Sequence, residues 1–358
     1  MKILDKYIIK KFLGTFIFAI LLIIGIAVVF DITEKMDDFI EKDAPIKAIV
    51  LDYYLNFIPY YTNLFMFLFI FISVIFFTSK MSQQSEIIAI ISSGVSFSRL
   101  MLPYFISALV LGAFSFLLSN FIIPPANTTR IEFENTYING TYYNDEYNIH
   151  RQIEPGVFIY MESFNTSNDT GYKFSIEKFS GNILISKLIA TFIQWNKETE
   201  KWTLNNYQIR ELDGMKEKIS TGKTLDTLLR LNPEDFKRRD SEKATMNMYE
   251  LDNFIKEQKM RGETNIATYL LEKHQRIAFP FSAFILTLIG VSLSSRKRRG
   301  GTGLNIGLGL LLSFAYILFM QVSSQFSIKG NLPPVISAWI PNILFALIGA
   351  FLFRIAPK

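Results

Sequence analysis

Residues 83–99, QQSEIIAIISSGVSFSR, form a short polar-flanked segment between two long hydrophobic runs. At about 1.5 Å per helical residue, the segment is too short to cross a bilayer core of about 30 Å, so it lies on one side. Ile87, Ile88 and Ile91 fall at i, i+1 and i+4, which places them on one arc of a helix. Ser82 is in position to cap such a helix, and Gly94 can end it in a left-handed conformation. The spacing therefore predicts a small amphipathic helix over about 82–94 in a membrane loop. Two readings are open: an interfacial helix resting on lipid, or a docking helix for a soluble partner.

Working outward, the 358-residue chain is 50% hydrophobic with 34 Phe, and its 19% charged content lies below the soluble average of about 25%. This is membrane-protein composition. The net charge of +5 does not point to nucleic acid, because the basic clusters sit beside apolar runs instead of interleaving with a binding motif. No cysteine is present, so disulfides, thiolate chemistry and zinc ribbons are excluded.

The first apolar run, Phe12 to Phe30, follows Lys2, Lys6, Lys10 and Lys11. It is longer than a signal-peptide core and is followed by Asp31, with no small-residue cleavage site, so it reads as a first span. An acidic connection over 31–52 precedes the second span, Tyr54 to Phe77. The third, Leu100 to Ile123, is expected to stop at Pro124-Pro125. From 127 to about 265 short apolar–polar alternations such as 156–161 and 202–209 are separated by turn-rich pieces, which is the pattern of a β domain. Strands such as Val157 to Glu162 and Lys201 to Arg210 are candidates for an exposed edge. Spans at about 276–293, 303–322 and 334–353 complete the chain. The expected organisation is three spans in 1–126, an all-β insertion in 127–265 and three spans in 266–358: a six-helix α-helical membrane protein with a soluble domain between helices 3 and 4.

Loops on one side, residues 1–11, 79–99, 295–300 and 354–358, hold twelve Lys and Arg; the short loops on the other, 31–52 and 324–333, hold four. The positive-inside rule then predicts cytoplasmic termini, a cytoplasmic helix at 82–94 and a β domain outside the cytoplasm.

Material for catalysis is sparse. The two histidines, His150 and His274, do not supply a metal site or triad. Gly222-Lys223-Thr224 resembles the tail of a phosphate loop, but Glu217 stands where that loop needs glycine, so it reads as a turn. Four Asn-x-Ser/Thr sequons, at Asn127, Asn139, Asn165 and Asn168, fall in an Asn-rich stretch where chance matches are expected. The spans carry almost no charge, which argues against an ion pathway and for a bulky lipid substrate. Gly303, Gly307 and Gly309 form a small-residue face suited to close packing or to sliding on a partner.

Several motifs occur in a fixed order: Ser85-Glu86 with Gly94-Val95-Ser96, Pro125-Ala126-Asn127, 274–280 (HQRIAFP), Leu332-Pro333-Pro334 and 338–342 (AWIPN). With the three-span, β-domain, three-span layout they resemble, from end to end, the LptF/LptG permeases of lipopolysaccharide export. The opening 3–8, ILDKYI, is closer to the LptG branch.

The resemblance implies a non-enzymatic subunit of an ATP-driven exporter in the bacterial inner membrane, with a periplasmic β-jellyroll and no cofactor of its own. Its implied partners are a related LptF-like permease, a cytoplasmic LptB-like ATPase dimer, a single-span LptC-like bridge protein and lipopolysaccharide. Ile87, Ile88 and Ile91 would seat in a groove of the ATPase, with Glu86 at its rim. Spans one and five would form lateral gates whose lipid pocket is lined by residues such as Phe16, Ile20, Ile23, Leu311 and Tyr316. Val28, Val29 and Phe30 are apolar where some family members carry a basic residue, leaving Lys35 as the nearest candidate for a lipid phosphate. The alternative is a permease or scaffold subunit of another envelope lipid or lipoprotein transport complex.

Overall fold

The computed structural model describes residues 3–139, 147–214, 216–236, 240–262, 266–295 and 301–356. The basic connection Arg296, Lys297, Arg298 and Arg299 lies outside the described residues. The chain divides into two compact units: Met1–Ile138 with Ala244–Met248 and Ala267–Lys358, and Asn139–Lys243 with Tyr249–Ile266.

In the first unit, six helical stretches are long and apolar enough to cross a membrane. Helix α1 (Ile3–Glu41) is followed by α2 (Ile46–Ala48), which passes through a π-helical turn, Ile49–Tyr54, into α3 (Leu55–Gln83). The short α4 (Glu86–Ser92) leads to α5 (Phe97–Leu117) and, through a second π-helical turn, Leu118–Ile122, to α6 (Ile123–Tyr137). Helices α8 (Ile266–Ser294), α9 (Gly301–Ile328) and α10 (Pro334–Ile355) complete it.

Two of these helices outrun the sequence expectation. Helix α1 continues through the acidic stretch to Glu41, because Phe39 is buried against Tyr53, Tyr54, Phe57 and Phe133 and so carries the helix past the apolar run. Pro124 and Pro125 do not end the third span. They occupy the first turn of α6 just after the π-helical turn, where a missing N–H costs least.

Helix α3 is central: α1 packs on it and on α5, while α9 packs on it and on α10. Glycines set the close crossings. A Cβ at Gly112 would lie 2.9 Å from the Pro280 carbonyl oxygen, and one at Gly290 would lie 2.8 Å from Val74 Cγ1. The least covered helices are α1 and α9: 22% of the apolar window of each is buried, against 61% for residues 46–83 and 67% for α8.

The second unit holds six antiparallel strands: β1 (Tyr147–Glu154), β2 (Val157–Asn165), β3 (Thr170–Ser180), β4 (Ile183–Asn196), β5 (Lys201–Asp213) and β6 (Lys216–Thr227). Each pairs with its sequence neighbour, giving the order β1-β2-β3-β4-β5-β6. The candidate edges Val157–Glu162 and Lys201–Arg210 are therefore interior, in β2 and β5; the edges among the described strands are β1 and β6. The core gathers alternate residues such as Ile159, Met161, Phe174, Ile193 and Leu204 around Trp202, whose indole N–H donates to the Leu231 carbonyl at 2.8 Å. Gly222 is not in a turn. It lies mid-strand in β6 opposite Tyr207, whose ring covers it so closely that a Cβ would sit 2.5 Å from the phenol oxygen. Helix α7 (Met248–Arg261) belongs to this unit, where Arg261 pairs with Asp235 at 3.1 Å.

Candidate functional site

The segment 83–99 folds as a tight reversal, one short helix and a second reversal. Ser85 has φ +62°, a left-handed conformation that costs a non-glycine residue roughly 1–2 kcal/mol. It turns the chain out of α3 so that α4 begins at Glu86. Ser82 is not the cap: it is buried in the last turn of α3, where its hydroxyl donates to the Ser295 carbonyl at 3.1 Å. Helix α4 ends as Gly94 donates its N–H to Ile91 O at 3.0 Å with φ +88°. No atom crowds Gly94, so its backbone angle and not its space requires glycine. Ser96 then caps α5, its hydroxyl accepting from the Arg99 amide at 3.3 Å.

This geometry divides the three isoleucines. Ile87 is fully buried in the helical core, and Ile90 and Ile91 pack partly against the same cluster. Ile88, 100° around the helix, is 50% exposed, and Ala89, Ser92 and Ser93 are exposed beside it. The outward face of α4 is thus Ile88, Ala89, Ser92 and Ser93. Glu86 is half-buried, and its Oε2 accepts a hydrogen bond from the Tyr7 hydroxyl of α1 at 3.3 Å. Beside it, Arg99 Nη1 and Nη2 each donate to one oxygen of Asp5 at 2.8 Å. Sequence reasoning missed this pair, whose members are 94 residues apart; the only local signal is a lone acid among the N-terminal lysines.

The expected gate residues also divide. Phe16 and Ile20 are 3% and 6% exposed and point into the core, Ile23 is half-buried, and the open side of α1 presents Ile17, Phe18, Leu21, Leu22 and Ile26. On α9, Leu311 is 63% exposed, with Phe314 and Leu318 also outward. Tyr316 is buried, donating to Asn342 Oδ1 at 2.8 Å and meeting Phe345 edge-on. Within the glycine face, Gly303 and Gly307 meet nothing, whereas Gly309 lies directly against Ile75.

Lys35 is already engaged. Its Nζ lies 3.0 Å from Asp31 Oδ1 and hydrogen-bonds the Tyr53 hydroxyl, which donates to Asp31 at 3.3 Å while Tyr54 donates to the other carboxylate oxygen at 3.1 Å. The lysine side chain is 20% exposed.

With this geometry in hand, comparison with known proteins finds that residues 6–355 match the sequence model of the family "Lipopolysaccharide export system permease LptF/LptG". The chain belongs to the LptF/LptG family. Among its relatives in that family, the lipopolysaccharide export system permease protein LptG of Haemophilus influenzae is 21% identical over 354 residues, 96% of this chain and 95% of that protein. The LptG proteins of Escherichia coli K12 and of the O6:H1 strain CFT073 are each 22% identical over 199 residues, 54% of either chain.

The sequence motifs of this LptF/LptG member supply hydrogen bonds between segments distant in sequence. Asn127 Nδ2 donates to Ala244 O at 3.2 Å, Gln275 Nε2 to Ser324 Oγ at 2.9 Å, Arg276 Nη1 to Met246 O at 2.6 Å and Asn342 Nδ2 to Ala278 O at 2.7 Å. His150 packs on Tyr160 with ring centres 4.7 Å apart. Among the described residues no cluster of three His, Cys, Asp or Glu is placed to hold a metal ion.

Proposed function

We propose that this LptF/LptG member is the LptG-like permease half of an ATP-driven exporter that takes lipopolysaccharide from the inner membrane. In this reading both termini and α4 are cytoplasmic and the β unit is periplasmic, as the distribution of Lys and Arg suggests. A related permease is the partner in the membrane, a separate ATPase dimer supplies the energy, and the β unit passes lipid to a single-span bridge protein.

The observation that carries the reading is the two-faced α4. Ile87 roots the helix in the bundle, while Ile88, Ala89, Ser92 and Ser93 present a small, mixed surface. A helix lying on lipid presents a broad apolar face to the acyl boundary; an outward face with one half-exposed isoleucine among Ala89, Ser92 and Ser93 fits a shallow groove on a soluble protein better. The apolar open sides of α1 and α9 suit acyl chains, which need area, about 25 cal/mol per Å², and little else. Lys35 is occupied by Asp31 and Tyr53, so lipid phosphate is met elsewhere or only after that cluster opens.

The test is copurification of a cytoplasmic ATPase with the detergent-solubilised chain and its partner permease. Stoichiometric ATPase whose turnover rises with lipopolysaccharide is expected. An assembly without ATPase would remove the exporter reading, and turnover raised only by another lipid or a lipoprotein would transfer it to a different envelope pathway.

A further inference from the structure

Asp5 and Tyr7, two residues apart in the first turns of α1, hold the two ends of the α4 segment. Tyr7 holds Glu86 where α4 begins, and Asp5 holds Arg99 just beyond the reversal at Gly94. The Asp5 side chain is 4% exposed. A carboxylate taken so far from water must be paired, yet its pair with Arg99, whose side chain is 35% exposed, is only part-buried and contributes little net stability. What it does impose is direction, since the planar guanidinium fork meets both carboxylate oxygens in one orientation only. Farther along, Asp31 binds α1 to Tyr53 and Tyr54. Between these points, about 39 Å apart at 1.5 Å per residue, α1 touches its neighbours through apolar side chains such as Ile8, Phe12, Phe16 and Ile20. Helix α9 is held differently. Asn305 bonds Ser79, Tyr316 bonds Asn342, and Ser323 bonds Ser337, so polar contacts fasten it to α3 and α10 along its length.

We infer that Asp5 and Arg99, with Tyr7 and Glu86, are positioning residues that make α1 the helix driven by the docking segment, pivoting about Asp31, while α9 stays fixed. The inference rests on the reading of α4 as an ATPase docking helix. Movement of α4 pulls both ends of its segment on the same turns of α1, and the sparsely covered α1 follows.

The chain has no cysteine, so a single spin label at Ile17→Cys, 54% exposed on α1, reports the movement, with Leu347→Cys on α10 as reference. In the complex with partner permease and ATPase, nucleotide is expected to change the Ile17 signal and leave the Leu347 signal unaltered. Asp5→Asn should reduce that change at least fivefold while ATPase binding and basal turnover persist. Asp5→Asn/Arg99→Gln removes both charges of this pair together, so neither is left facing the other's neutral replacement, and it should do the same. A nucleotide response of unsubstituted size in either variant overturns the inference, as does parallel loss of ATPase binding, basal turnover and label response in the double variant. Failure of the unsubstituted chain to bind ATPase would instead defeat the docking reading itself.

Discussion

Ile88 offers the sharpest test of how α4 is used, because its neighbour Ile87 serves as an internal control. Full burial of an isoleucine contributes about 1.5–3 kcal/mol, and Ile88 is 50% exposed, so seating its open half in a partner groove is worth about 0.8–1.5 kcal/mol. Ile88→Ala should therefore weaken ATPase binding about 3- to 12-fold at 1.4 kcal/mol per tenfold. Ile88→Asp, which would desolvate a carboxylate in that groove, should weaken it by about 100-fold or more. The assay is titration of purified ATPase onto the detergent-solubilised permease pair, with thermal unfolding of the pair measured in parallel. Neither Ile88 variant should unfold earlier, whereas Ile87→Ala removes a fully buried side chain and should cost about 2–5 kcal/mol of stability. Unchanged ATPase affinity in both Ile88 variants would refute the docking face and leave α4 as a membrane-surface element.

Three further outcomes are expected. Gly112→Ala places a Cβ 2.9 Å from the Pro280 carbonyl and should destabilise the bundle by about 1–3 kcal/mol, while Gly14→Ala, with nothing near, should gain up to about 1 kcal/mol from helix propensity; thermal midpoints moving in the same direction would contradict the α5–α8 crossing. Lys35→Ala strips Asp31 of its cationic partner, leaving it the Tyr53 and Tyr54 hydroxyls in a site only slightly open to solvent, and should cost about 1–3 kcal/mol; unchanged stability with lost lipid-stimulated turnover would assign Lys35 to the lipid instead. A proline at an outward amide of β1 or of β6, the two edges, should abolish bridge-protein capture on one edge with ATPase retained; capture by both variants would exclude strand addition.

The apolar runs and the period-two alternation made the spans and the inserted sheet legible, since hydropathy and side-chain alternation are local properties. What escaped was decided by partners distant in sequence. The acidic stretch after Phe30 read as a loop, but Phe39 finds an aromatic cluster built from two other helices and α1 continues. Pro124 and Pro125 read as a stop because a π-helical turn leaves no local sequence mark. Gly222 read as a turn because its reason for being glycine is Tyr207 on the adjacent strand. At the candidate site, Ile87, Ile88 and Ile91 could be placed on an arc but the arc could not be oriented. Phe16 and Ile20 are as apolar as Phe18 and Leu21, so hydropathy could not say which pair faces outward. The Asp5–Arg99 pair is non-local altogether.

Passage of lipid along the open sides of α1 and α9 can be followed by photo-crosslinking. Leu311 on α9 and Leu347 on α10 are 63% and 67% exposed, so a crosslinker at either is equally accessible. Phe18 on α1 is 69% exposed. In membranes containing the assembled exporter and lipopolysaccharide, Phe18 and Leu311 should capture lipopolysaccharide in a manner that changes with ATP, and Leu347 should capture bulk phospholipid only. Capture of lipopolysaccharide at Leu347 equal to that at Phe18 and Leu311, with no response to ATP, would contradict the account.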